Sequence, residues 1–268
     1  MITRRGAYEL TIDAVPHFVD PLVATFWNRG DYYRVRHMVS GGDECTIFLL
    51  SEQASQEIRE QTKRRAASAP RNTFKNSSRS IDGQTYLMHR AALAQARSES
   101  VDNRNARNAS ARRTRPHTSD ARNPVPNADP LAVEESAFEF LQQIVKNETE
   151  NSPSLQSRER TRIVAHAREI LASEFRQRLS LASVARDVNC SPFHLSRLFR
   201  QATGVSLYRA VVRLRLREGL ERLLDAPEQI STVALDTGFA SHSHFADAFR
   251  AEYHCSPSDA RMITNKSA

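Results

Sequence analysis

The chain has 268 residues, of which 40% are hydrophobic, and it carries a formal net charge of +7 and three cysteines. This length suits two domains, and no apolar run approaches the roughly 18 residues that a membrane-spanning helix needs. The N-terminus lacks the apolar stretch of a secretory signal, and an odd number of widely spaced cysteines argues against a disulfide framework. We therefore expect a cytoplasmic protein without a membrane partner.

The positive charge is unevenly distributed along the chain. Residues 1–60 hold 6 Lys/Arg and 9 Asp/Glu, residues 61–156 hold 15 and 10, and residues 157–268 hold 17 and 12. The excess is almost all arginine, whose planar guanidinium fits phosphate oxygens and guanine edges. A polyanion is therefore a candidate partner, although many basic proteins bind none.

Residues 7–60 favour β-structure. The segment YYRVRHMV alternates between two faces and predicts a strand, with Tyr33, Val35, His37 and Val39 on one face. The turn sequence SGGDE follows, and the apolar run CTIFLL predicts a further strand. These patterns predict a small β-barrel or sandwich that is shorter than a complete one.

The middle of the chain is polar apart from two helical patterns. Residues 61–80 predict a loop, 82–98 predict a helix, and 99–130 predict a basic, mobile linker that is either a solvated loop or a DNA-phosphate contact. Residues 131–147 form a strongly amphipathic pattern, whose apolar face would pack on its own domain or on a second copy in a dimer. The polar segment 148–157 predicts a hinge and the domain boundary.

From residue 158 the pattern is helical almost to the end. Helices are predicted over 160–175, 181–188, 191–202, 207–224, 230–237 and 241–253, with a short last turn at Pro257. Ser191 is a predicted N-cap with Pro192 at the first helical position, and Gly204 is a predicted helix end.

Two stretches of this helical part repeat each other. A shift of 49 residues aligns LASVARDV (181–188) with ISTVALDT (230–237), and a shift of 50 aligns the longer helices that follow. The extra residue falls in the turn, where insertions are tolerated. Each copy is a short helix, a tight turn and a longer helix, which is a helix-turn-helix, and the small Ala185 and Ala234 let the two helices cross closely.

The outward faces of the two longer helices supply the candidate DNA contacts. Leu195, Leu198 and Phe199 are predicted to be buried in the first copy, and Phe245, Ala248 and Phe249 in the second, where Ala246 is placed outward. Arginine can bridge guanine O6 and N7, Ser and His can contact base edges, and a serine at a helix start suits a phosphate. The candidate residues are Ser191, Phe193, His194, Ser196, Arg197 and Arg200 in the first copy, and Ser241, His242, Ser243, His244, Asp247 and Arg250 in the second.

The distance between the two copies suits the DNA duplex. The connecting helix of roughly 18 residues is roughly 27 Å long, so two reading helices at its ends would lie near one turn of B-DNA, about 34 Å, apart. The alternative is a repeat-built helical scaffold without a ligand, which would leave the outward arginines without a role.

These motifs resemble the DNA-binding domain of the AraC/XylS family of bacterial transcription regulators. The resemblance covers residues 158–263 and rests on SPFHLSRLFRQATGVS, RLRLREGLERLL and VALDTGFASHSHFADAFRAEYHCSPSDAR. It implies base or backbone contacts by Phe193, Ser196 and Arg197 in the first copy. In the second copy it implies contacts by His242, Ser243, His244 and Asp247.

Four positions depart from the family pattern. Asp247 stands where Arg or another polar residue is common, and a carboxylate there repels phosphate but can accept a hydrogen bond from cytosine N4. His254 replaces a usual Gly and Ala260 a usual aromatic, which bears on the closing turn. Gly219 replaces a usual Ala and should weaken the connecting helix by up to about 1 kcal/mol.

The N-terminal half is more loosely similar to the cupin-like sensory domains of such regulators. The resemblance implies an α+β protein of two domains. Residues 1–150 would form a small β-rich, cupin-like sensing or dimerisation domain with helices, and residues 158–263 an all-α domain with two helix-turn-helix units joined by a linker helix. Double-stranded DNA and RNA polymerase are the implied partners. A small-molecule effector, whose binding residues stay unknown, and a homodimer are left open.

A metal-binding protein is one alternative. His242, His244, His254 and Cys255 carry suitable atoms, but the first two lie two positions apart on a predicted helix and therefore point in different directions. The first 60 residues also lack the HxH pattern of metal-binding cupins. We predict no metal and no cofactor.

An enzyme is the other alternative. Cys45 and His37 are eight positions apart and of the right types for a thiol nucleophile and its base, yet no oxyanion motif accompanies them. We predict that Cys45 starts a buried strand and that His37 is part of a sheet face, and we predict no catalytic residues and no enzymatic activity.

Overall fold

The structure is a computed structural model that describes residues 1–12, 15–28, 30–37, 42–52, 55–56, 60, 74, 78–94 and 158–265. The first of these parts is rich in β-strands and the last is helical, which confirms the coarse α+β prediction. The predicted linker 99–130, amphipathic helix 131–147 and hinge 148–157 lie outside the described residues.

The strands of the N-terminal region form two antiparallel sheets. The strands are β1 (Ile2–Arg5), β2 (Tyr8–Ile12), β3 (Val15–Val19), β4 (Val23–Thr25), β5 (Tyr33–His37), β6 (Glu44–Thr46) and β7 (Ser78–Ser80). One sheet has the order β6-β1-β4-β7 and the other the order β3-β2-β5. β2 alternates as a half-buried strand should, because Tyr8, Leu10 and Ile12 are buried and the residues between them are not.

The predicted alternation of β5 does not correspond to a buried face. All five residues of β5 are exposed, including Tyr33 and Val35, and this strand pairs with β2 at one edge of its sheet. The predicted strand CTIFLL is also only partly formed: β6 ends at Thr46, and Ile47 and Leu49 are exposed. Within the predicted loop 61–80, Ser78–Ser80 form β7, which pairs with β4.

The predicted helices of the C-terminal part are confirmed within one or two residues. Helix α1 occupies 83–94 in the N-terminal part. The others are α2 (Arg158–Glu174), α3 (Leu181–Asp187), α4 (Pro192–Thr203), α5 (Leu207–Asp225), α6 (Ile230–Asp236), α7 (His242–Tyr253) and α8 (Pro257–Asn265). The last differs from its prediction, since the short turn at Pro257 is a helix of nine residues. No helix within the described residues is long and apolar enough to cross a membrane.

Helix α5 contributes to two hydrophobic cores. Its first half places Val211 and Leu214 in a core with α2, α3 and α4. Its second half places Leu216 and Leu220 in a core with α6, α7 and α8. The helix-turn-helix units are therefore packed at opposite ends of one shared helix.

The N-terminal region packs against α5 and joins the second core. Ile2, Ala24, Ile81 and Tyr86 are buried in the same cluster as Leu220. The N-terminal region also contacts α2, where the Arg168 guanidinium lies 2.7 Å from the Asp20 carboxylate. The described parts of the chain therefore form one continuous packed body, and the division into domains 1–150 and 158–263 stays a prediction.

Candidate nucleic-acid interface

The two helix-turn-helix units have the same turn geometry. Asn189 and Gly238, which the repeat aligns, both take left-handed backbone conformations, with φ of 53° and 92°. In unit 1 (α3, turn, α4) the Cys190 N–H donates to the Ala185 carbonyl, and in unit 2 (α6, turn, α7) the Phe239 N–H donates to the Ala234 carbonyl. The predicted position of the extra residue, in the turn, is therefore confirmed.

The second helices, α4 and α7, also begin and end alike. The Ser191 Oγ accepts a hydrogen bond from the His194 N–H, and the Ser241 Oγ accepts one from the His244 N–H, both at 3.2 Å. Ser191 and Ser241 thus act as N-caps, and each hydroxyl keeps its hydrogen for a further acceptor such as a phosphate oxygen. Gly204 ends α4 in a left-handed conformation.

Helix α4 buries one face and exposes the predicted contact face. Leu195, Leu198 and Phe199 are buried as predicted. Phe193 is 80% exposed. Arg197 and Arg200 are exposed with it, whereas His194 and Ser196 are half-buried. Helix α4 therefore presents two arginines and an aromatic ring to the solvent.

Helix α7 presents a different surface. Its exposed candidates are Ser241, His242, Ser243, His244, Asp247 and Arg250. Ala246 is buried, so its predicted outward position is wrong, and Ala248 is only half-buried. The Arg250 guanidinium lies 3.2 Å from the Asp247 carboxylate one turn away, which neutralises both charges locally. The net positive charge of the interface is therefore concentrated on α4.

The departures from the family pattern have visible structural roles. His254 ends α7 in a left-handed conformation with φ of 56°, where a glycine would be unstrained. Ala260 is fully buried in the second core. A Cβ atom on Gly219 would lie 2.8 Å from Cε2 of Phe245, so the ring occupies the space that an alanine side chain would need.

A buried ionic cluster joins the N-terminal region to α5, and the sequence reasoning missed it. The Glu221 carboxylate is fully buried and accepts a hydrogen bond from the Tyr86 hydroxyl at 2.8 Å. The Arg90 Nε lies 3.0 Å from the same carboxylate, and an Arg4 guanidinium nitrogen lies 3.3 Å from its other oxygen. Burial raises the pKa of Glu221, and Arg90 and the Tyr86 hydrogen bond oppose that effect.

Cys45 lacks the properties of an activated nucleophile. Burial, followed by a hydrogen bond from its Sγ to the Asp43 carboxylate at 3.1 Å, raises the pKa of the Cys45 thiol to about 11. The thiol is therefore protonated at neutral pH. His37 contacts the other oxygen of Asp43, at 2.7 Å. Among the residues described, no group of three or more His, Cys, Asp or Glu side chains is placed to hold a metal ion.

Comparisons with known proteins identify the C-terminal region. A family model described as "Helix-turn-helix domain" matches residues 184–262, which contain unit 2 and all of unit 1 except the first three residues of α3. The HTH-type transcriptional regulator MtrA of Neisseria gonorrhoeae is 38% identical over 73 residues, which are 27% of this chain and 24% of that protein. The HTH-type transcriptional activator RhaS of Klebsiella pneumoniae (strain 342) is 32% identical over 92 residues, which are 34% of this chain and 33% of that protein. This chain carries an AraC/XylS-type helix-turn-helix domain.

The two curated relatives are similar to this chain over only part of its length. The chain spans about a quarter to a third of the length of these two curated relatives. A solved structure of a transcriptional regulator from Chromobacterium violaceum, described as one of the AraC-type DNA-binding domain-containing proteins, is 25% identical in sequence to this chain. It covers 39% of this chain and 93% of that one with a TM-score of 0.38. The roles of the twelve candidate side chains in this AraC/XylS-type domain stay predictions.

Proposed function

We propose that the chain is a sequence-specific, DNA-binding transcription regulator. The observation that carries the proposal is the pair of units on one shared helix, each of which exposes the polar start of its second helix. Helix-turn-helix modules read DNA through those helix starts in the major groove. The relatives named above are regulators, which agrees with a chain that is not an enzyme.

Unit 1 is the main contributor to DNA affinity in this proposal. Arg197 and Arg200 are exposed on α4, whereas the cation Arg250 on α7 is paired with Asp247. Arg197 would bind a guanine edge, and Phe193 would contact an apolar group such as a thymine methyl. The carboxylate of Asp247 would accept a hydrogen bond from cytosine N4, so unit 2 would add selectivity more than affinity.

The decisive experiment is selection of bound sequences from random DNA by the full chain, followed by mobility-shift titration of Arg197→Ala. The variant should lose about 1–3 kcal/mol and relax base preference at one position. Arg162→Ala removes an equal charge from an exposed position on α2, outside both units, and is the matched control. Selection that yields no consensus overturns the function. Unchanged affinity and base preference in Arg197→Ala overturn the assignment of Arg197 alone.

The N-terminal region is proposed to be the sensing or dimerisation domain, with a cupin-like fold over residues 1–150. Its antiparallel sheets and its packing on α5 support this role, since a change in the sheets would reach both units through α5. A small-molecule effector, a homodimer, RNA polymerase as a partner and a cytoplasmic location belong to the same proposal. Repeating the selection with candidate metabolites present tests the effector.

A further inference from the structure

Arg215 lies in the middle of α5 and binds backbone carbonyls from both sides of the domain. Its Nε donates to the Phe175 carbonyl at 2.6 Å, and one terminal nitrogen donates to the Gln177 carbonyl at 2.8 Å. The other terminal nitrogen donates to the Gly238 carbonyl at 2.7 Å. The first two carbonyls belong to the segment between α2 and α3, and the third belongs to the turn of unit 2.

The two halves of the domain also touch at this place. A Cβ atom on Gly238 would lie 2.7 Å from the Arg176 carbonyl oxygen and 3.0 Å from the Arg215 guanidinium, so the two backbones meet there with no space for a side chain. One guanidinium therefore joins the segment that leads into unit 1 to the turn of unit 2. Three donors in a rigid planar fork fix direction as well as distance.

A lysine could not replace these bonds. An ammonium is a single point on a flexible stem, whereas the three carbonyls accept from three different nitrogens of Arg215. These hydrogen bonds join α5 to the segment before unit 1 and to the turn of unit 2, and none of them involves a residue of α4 or α7. Their loss should alter how the units are held relative to each other and leave each helix-turn-helix intact.

We propose that Arg215 is a positioning residue that fixes the angle and distance between α4 and α7 and so sets the number of base pairs between the two DNA blocks. The inference rests on the proposed function, because it concerns how the two units bind one duplex. One base pair inserted between two blocks rotates one block by about 34° around the helix axis. A rigid joint should therefore tolerate a single spacing.

The test compares the wild-type full chain with R215K and with the control R176K. Arg176 lies in the same segment and pairs with Glu218 on α5 at 2.8 Å, but no bond from its side chain to unit 2 is present in the described structure. Each protein is titrated against duplexes that carry the two selected blocks at the selected spacing, at one base pair fewer and at one or two more. A duplex with only the first block and a thermal unfolding scan are measured in parallel.

R215K should bind the selected spacing about tenfold more weakly, because hydrogen bonds of a charged donor are lost. The ratio between the selected spacing and its neighbours should shrink by at least about fivefold, while single-block affinity stays within about twofold. R176K should keep the wild-type ratio. Arg215→Gln, which retains one amide donor group, should fall between wild type and R215K or match R215K.

An unchanged spacing ratio in R215K overturns the inference while the proposed function stands. A wild-type chain that selects no two-block sequence overturns the proposed function and the inference together. If R215K and Arg215→Gln both fail to fold, the positioning role is also overturned, since Arg215 would then be a general stabiliser of the domain. The positioning role is likewise overturned if R215K loses as much affinity for the single-block duplex as for the duplex with the selected spacing.

Discussion

Replacing Gly219 by alanine should destabilise the protein, although alanine is the better helix former. Gly219 lies inside α5 and is buried. Alanine is favoured over glycine in a helix interior by about 1 kcal/mol. The new Cβ would however meet Cε2 of Phe245 at 2.8 Å and Cζ at 3.1 Å. Since the ring is fully buried, the contact cannot be relieved by moving it into solvent.

The magnitude follows from the two opposing effects. Non-bonded carbon atoms are best separated by about 3.5–4.0 Å, so the ring must move by roughly 0.7 Å or more. It packs against Phe239 and Phe249 at centroid distances of 5.2 and 5.5 Å, and those rings resist the movement. Overpacking of this kind costs about 1–3 kcal/mol, which leaves a net loss of about 1 kcal/mol in the free energy of unfolding.

The repeat itself provides the control, because Leu195 of unit 1 aligns with Phe245 of unit 2. Phe245→Leu removes the ring edge at a cost of about 1 kcal/mol. In that background the clash is absent and Gly219→Ala should stabilise the protein by about 1 kcal/mol through helix propensity, which gives a coupling energy of about 2 kcal/mol in a double-mutant cycle. Urea unfolding followed by circular dichroism measures all four proteins. A Gly219→Ala chain more stable than wild type, or a coupling near zero, would refute the packing argument.

Two further outcomes follow from buried polar groups in the N-terminal region. Tyr86→Phe should lower the free energy of unfolding by about 2 kcal/mol, because the buried Glu221 carboxylate loses a hydrogen bond. Tyr8→Phe is the control, since the Tyr8 hydroxyl bonds to the neutral Thr3 hydroxyl and Met1 sulfur in the part of the chain that the structure describes, and an equal loss in both variants would contradict the argument. Cys45, with a pKa of about 11, should react with iodoacetamide at pH 8 at least about a hundredfold more slowly in the folded chain than in urea. Equal rates would show that the thiol is not held as described.

The repeat explains why the C-terminal part was predictable from the sequence. Its helices have strong local signals, such as the Ser191 cap and the Gly204 end, and the second copy confirms each signal of the first. The exposed faces of α4 and α7 were predicted correctly, except at Ala246, because the large apolar residues of each helix mark its buried face. A small side chain gives no indication of its direction, and Ala246 is buried in a helix whose large residues define the inward face one position away.

The N-terminal strands were harder to predict, because alternation identifies a strand without saying what covers it. In β5 the alternating residues lie at a sheet edge, and both faces are exposed. In β2 the same period corresponds to burial, because Tyr8, Leu10 and Ile12 belong to one buried cluster against which Trp27 packs. Strand order depends on contacts between residues distant in sequence, for which a single sequence contains no local signal.

The burial of charged residues on α5 could not be predicted from the local sequence pattern. Its arginines and glutamates have the spacing of a solvated helix face, yet Arg217 is 1% exposed and Glu221 is fully buried. Arg217 donates to the Ile81 and Asp82 carbonyls, so its partner is backbone of the N-terminal region more than 130 positions away. A buried charge is tolerated only with such partners. Separating the N-terminal region from α5 would therefore leave Arg217 without its Ile81 and Asp82 carbonyl acceptors and Glu221 without Tyr86, Arg90 and Arg4, which makes opening of this contact costly.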